Sequence, residues 1–251
     1  MPCLPGHHLC STIEAHRVVL TCRRTDRTSM TLTSRSAQPQ TPRARAWALT
    51  LLVAGTVGVA VAIAVVYAYY NDPWRPLAHS LGLWAVMASA VGFRRRLPLA
   101  VGASIASLAT AVVTFYVGLK VGHDIRWAGS GSVMSVNWDR IGLWLVLAVL
   151  AGVAFGLLGS FAPHRDWKGA AATAALVGLL MADAYRRYST WGGIDVAVAV
   201  DVLAALAVFV IATRDNKRPL LTLGLTFATA ALGLVAVSAP DFIEQGLIEG
   251  F

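Results

Sequence analysis

The stretch WALTLLVAGTVGVAVAIAVVYAYY, residues 47–70, decides the fold class: it runs for 24 residues without a charged side chain. A bilayer hydrocarbon core about 30 Å thick is crossed by roughly 20 helical residues. A backbone placed there must satisfy its own hydrogen bonds, and no strand-like alternation is present, so the stretch reads as a transmembrane helix. Six further apolar runs follow, at Leu77–Phe93, Leu97–Leu119, Ile141–Ala162, Gly169–Tyr185, Asp195–Thr213 and Pro219–Ala239. The second and fifth are short for a span, and are expected to draw on their flanks or to thin the bilayer locally. The reading is an all-α, polytopic bundle of about seven spans over residues 47–239.

Composition agrees. Of the 251 residues, 57% are hydrophobic and only 14% charged, where an average globular chain carries about 25% charged residues. The mean hydropathy is +0.63. The formal charge of +8 suggests nucleic acid at first sight, but the positive residues sit in the segments between apolar runs and form no basic face with stacking aromatics, so no nucleic-acid partner is expected.

The positions of Lys and Arg set the orientation. With the N-terminus inside, fifteen of the 21 fall in cytoplasmic segments and six outside; without the first 46 residues the balance is eight to six. Arg94, Arg95 and Arg96, between the second and third runs, form the strongest topology anchor. The C-terminus then lies outside, ending in a short acidic tail over 240–251 with Asp241, Glu244 and Glu249.

Residues 1–46 are rich in Arg, Ser, Thr and Pro without helical periodicity, and read as a disordered basic tail that can touch anionic lipid headgroups. No apolar core precedes a small-residue cleavage site, so the tail does not read as a signal peptide. Met30 opens a short polar lead into the first span and is a candidate start, which would leave 1–29 untranslated. The three cysteines, Cys3, Cys10 and Cys22, all lie in this tail, and an odd count in a cytoplasmic segment argues against a disulfide framework. With His7, His8 and His16 they have soft-metal chemistry but the spacing of no compact zinc module, so no metal is expected. The longest connection, Lys120–Arg140, carries Gly129-Ser130-Gly131-Ser132, a flexible composition, between Trp127 and Trp138 at headgroup level. No fixed-period repeat is visible, and seven spans do not divide into equal inverted halves.

Carboxylates inside spans carry the chemistry. Each costs about 2.5–3.5 kcal/mol at a span centre, so it needs a reason to be there. Asp183 stands 14 residues into the fifth run and Asp201 six residues into the sixth from the other side. At 1.5 Å per residue these are depths of about 21 Å and about 9 Å from opposite faces, which match in a core about 30 Å thick. Arg186 and Arg187 follow Asp183 at three and four residues, the spacing of a helical ion pair, and His79 lies near the outer end of the second run. Two readings stay open. One is a hydrated outer cavity for a cation, a proton or a small polar solute; the other is an interfacial Asp183–Arg187 pair, with Asp201 satisfied by a neighbouring helix or water.

In the fourth run, Gly152 and Gly156 are spaced as GxxxG with Gly159 behind them, which lets helix backbones approach closely; Gly55 and Gly58 in the first run read the same way. There is no P-loop, no HExxH, no GxSxG on a strand-to-helix turn and no lysine in the seventh run for a Schiff base. No nucleophile and base share a depth, so neither a cofactor nor an enzymatic activity is expected.

The stretch from about Gly55 to Tyr188 resembles a family of uncharacterised actinobacterial integral membrane proteins. The resemblance lies in Asn71, Trp84 with Gly92, Arg95, Tyr116, Gly152 with Gly156, and Ala182-Asp183-Ala184-Tyr185, where an acidic residue is followed by an aromatic. It covers roughly half the chain and leaves out the long tail. It implies a multi-pass protein without an assigned activity and adds weight to Asp183 and Tyr185 as site residues. Together these readings give an integral protein of a bacterial plasma membrane, structural or regulatory, with a small-solute or ion-coupled carrier as the alternative.

Overall fold

Seven α-helices make up almost all of the described backbone: α1 Thr41–Tyr69, α2 Leu81–Gly92, α3 Leu97–Arg126, α4 Trp138–Phe161, α5 Trp167–Trp191, α6 Val196–Asp215 and α7 Pro219–Glu249. The structure, a computed structural model, describes residues 41–128, 134–215 and 218–249, with side chains over 44–128, 134–214 and 218–238. The cysteine and histidine cluster of the tail, Met30 and Gly129–Ser132 lie outside the described residues.

Five helices, α1, α3, α4, α6 and α7, are long and apolar enough to cross a membrane. Their outward faces carry large apolar side chains, among them Leu52, Ile63, Leu150, Leu203, Phe227 and Leu232. Among the described residues the buried set is small instead, with Ala62, Ala88, Ala100, Ala103, Ala111 and Ser104 fully enclosed. Large apolar residues outside and small ones inside are what a bundle solvated by lipid requires, where close packing rather than water exclusion drives association.

Close approach is taken to its limit between α3 and α4. A Cβ added at Gly152 would lie 2.7 Å from the Ile105 Cα, and one at Gly156 would lie 2.5 Å from the Val101 Cα. Gly159 meets the Ser89 carbonyl of α2 in the same way. The helices alternate in direction. At one end Arg95 Nη1, just ahead of α3, donates to Thr50 Oγ1 early in α1 at 2.9 Å. At the other end the Tyr70 hydroxyl donates to the Leu119 carbonyl and Arg126 Nη1 to the Tyr70 carbonyl, each at 2.6 Å. So α1 and α3 run parallel, with α2 returning between them.

Five elements depart from the apolar runs. α1 begins at Thr41, inside the segment 1–46 read as a tail, and α7 continues past Ala239 to Glu249, through most of the segment read as an acidic tail. The second run, Leu77–Phe93, is not one helix: Arg75–His79 forms a separate 3₁₀ turn, and α2 starts only at Leu81. Its 12 residues reach only about 18 Å at 1.5 Å each, short of a span. The fifth run draws on both flanks, the first of the two expected outcomes: α5 starts at Trp167 and continues past Tyr185 to Trp191, where Gly192 ends it in the left-handed region at φ 69°. α3 likewise runs on to Arg126, helped by the Lys120–Asp124 pair one turn apart.

Candidate functional site

The N-terminus of α2 is the centre of the site. The first N–H groups of a helix have no partner within it, and the helix dipole places partial positive charge there. Ser80 occupies the N-cap with φ −82° and ψ 124°, yet its side chain does not cap its own helix. The capping is supplied from α5. Asp183 Oδ2 accepts the Leu81 N–H at 2.9 Å and the Gly82 N–H at 3.1 Å. A carboxylate on two orphan donors at a positive helix end is a charge-assisted contact across the bundle, between residues about a hundred positions apart in the chain.

The Ser80 hydroxyl is thereby released for a second task. Its Oγ lies 3.3 Å from Asp183 Oδ2, 3.1 Å from Asp201 Oδ1 and 3.3 Å from Asp201 Oδ2. The carboxylates of α5 and α6 thus meet on one hydroxyl, and both residues are 0% exposed. Gly82 makes this convergence sterically possible: a Cβ there would sit 2.1 Å from Asp201 Oδ1 and 3.0 Å from Leu180 Cδ2. Only a glycine lets the Asp201 carboxylate lie against α2.

The cations are unequally shared. Arg186 Nη2 donates to Asp183 Oδ1 at 3.2 Å. Arg187, only 4% exposed, stands between two acids, its Nε 3.8 Å from Asp183 Oδ2 and its Nη1 3.8 Å from Asp195 Oδ2. Asp195 also accepts the Val198 N–H at 2.8 Å and so caps α6. Among the described residues Asp201 forms no ion pair, so its partner is the Ser80 hydroxyl.

Of the residues singled out in the sequence, the structure brings together Asp183, Asp201, Arg186 and Arg187. It does not bring in Tyr185, which is 61% exposed on the outer face of α5. His79 is exposed in the 3₁₀ turn, with its ring 5.9 Å from that of Tyr69. Ser80, Gly82 and Asp195 complete the site and were missed. The signal for the first two was Ser-x-Gly just after Pro76, a helix start hidden inside an apolar run. Among the described residues no group of three His, Cys, Asp or Glu side chains is placed to hold a metal ion.

No curated protein and no solved structure matches the chain. A family model does, over residues 37–242, which takes in all of the site and nearly all of the helical bundle. The chain belongs to a family of unknown function, DUF6518.

Proposed function

We infer that the protein is an integral membrane protein of a bacterial plasma membrane, spanning it seven times with the N-terminus inside, and that its role is structural or regulatory. In this reading α2, with the 3₁₀ turn before it, is a broken span held in place by a dry polar latch. The observation that carries it is the complete burial of Asp183, with the α2 N-terminus and Arg186 as its partners. A carboxylate so engaged has its hydrogen-bonding capacity taken up by the protein, and a solute would have to displace those bonds.

A second reading, an ion- or proton-coupled carrier, is favoured by one observation: Asp201 is buried beside Asp183 without an ion pair among the described residues. A buried carboxylate of that kind is a natural acceptor for a cation or proton. The two readings separate in liposomes containing the purified protein and a pH-sensitive dye, under an imposed proton gradient. The latch reading expects the gradient to decay no faster than in empty liposomes, while Asp183→Asn lowers the melting temperature in detergent. Decay accelerated by the protein and abolished by Asp201→Asn would establish the carrier.

A further inference from the structure

At the end of the bundle opposite the carboxylates, the turn between α2 and α3 and the turn between α4 and α5 border an open basin of about 410 Å³. Three consecutive arginines, Arg94, Arg95 and Arg96, line it together with Ser160 and His164. Among the described residues none of those lining it is acidic. Arg165 follows His164 directly, and Lys168 stands one turn on. The nearest acid in sequence, Asp166, is engaged by the Lys168 and Gly169 N–H groups at the start of α5.

The backbone is bent to present these cations. Arg94 has φ 56°, the left-handed region that glycine or asparagine occupies most easily. The chain has an arginine there, its guanidinium 5.5 Å from the Phe93 ring, while Arg95 is braced on Thr50 of α1. The basin opens where helices end, beside Leu97 and Phe161, which is the headgroup level of the bilayer. Guanidiniums bind phosphate oxygens in a planar, bidentate manner.

We propose that this basin is a binding site for the phosphate of an anionic phospholipid headgroup in the inner leaflet. It rests on the membrane reading above and is independent of what the carboxylates do. The test uses the full chain purified in a neutral detergent, titrated with short-chain phosphatidylglycerol, short-chain phosphatidylcholine and inorganic phosphate, with binding read by native mass spectrometry. Phosphatidylglycerol is expected to bind more tightly than either of the others. Arg94→Gly, which relieves the backbone while removing the cation, should weaken it about fivefold, and Arg94→Gly with Arg96→Gln about thirtyfold. Arg75→Gln with Arg126→Gln, at the other end, should leave it unchanged. Equal binding of the two lipids, or no loss in the double variant when it remains folded by circular dichroism, would overturn the proposal. Inorganic phosphate binding as tightly as phosphatidylglycerol would overturn the lipid assignment in favour of a free-phosphate site.

Discussion

Replacing Gly82 by Ala tests the seating of Asp201 with one methyl group. The added Cβ would stand 2.1 Å from Asp201 Oδ1, 2.8 Å from its Cγ and 3.0 Å from Leu180 Cδ2. Ordinary contacts are about 3.5 Å or more, so the carboxylate must withdraw by more than about 1 Å. That breaks its 3.1 Å bond to Ser80. Loss of a hydrogen bond to a charged group costs about 1.5–3 kcal/mol, and overpacking adds about 1–3 kcal/mol. The better helix propensity of Ala returns about 1 kcal/mol. The net loss is about 1.5–5 kcal/mol, a fall in melting temperature on the order of 10 °C. The assay is thermal unfolding in detergent beside Gly142→Ala, where a Cβ meets nothing within 4 Å and no loss is expected. Repeating Gly82→Ala on an Asp201→Ala background closes a double-mutant cycle, and the penalty should shrink by about 2 kcal/mol or more. A Gly82→Ala protein as stable as the parent, or a penalty unchanged without Asp201, would refute the placement.

Three other substitutions probe the same account. Asp183→Ala strips the cap from α2 and leaves Arg186 and Arg187 facing a gap; breaking a buried pair from one side costs about 3–5 kcal/mol, and aggregation or a collapsed melting transition is the expected result. Asp201→Asn keeps an acceptor for the Ser80 hydroxyl while removing an unpaired charge, so detergent melts should shift by no more than about 1 kcal/mol in either direction; a large fall would show that the charge itself holds the bundle together. Gly156→Leu places a side chain on the Val101 backbone, with its Cβ 2.5 Å from the Cα, and should prevent α3 and α4 from packing, read as loss of the monodisperse peak in size-exclusion chromatography.

The long spans were legible because lipid leaves so little choice: all but the last residue of the charge-free run at 47–70 lies in α1, the run at 97–119 lies in α3, and all but the last residue of the run at 141–162 lies in α4. Matching depths for Asp183 and Asp201 could be worked out from helical rise alone, and the two side chains meet on Ser80. The break at Ser80 could not be read in this way. Leu77–Phe93 is apolar but for His79, Ser80 and Ser89, so hydropathy carries it through the break, where the Asp183 carboxylate, distant in sequence, captures the N–H groups of Leu81 and Gly82. The apolar run of the fifth helix marked its core and left the length of its flanks open for a related reason. Arg186 and Arg187 read as the boundary of an apolar run, but they turn inward onto Asp183 and Asp195, so the helix continues to Trp191. Hydropathy registers a charge and its cost; it does not register the partner that removes the cost.

The central claim, that the carboxylate pair is a dry latch, is tested most directly by water access at Ser80, which is 1% exposed. In a background with Cys3, Cys10 and Cys22 replaced by Ser, Ser80→Cys is offered a membrane-impermeant maleimide on intact cells, with the exposed Ala128 changed to Cys as the control. The account predicts that position 128 is labelled and position 80 is not. Labelling at position 80 at a rate comparable to the control would place water at the carboxylates and contradict the latch.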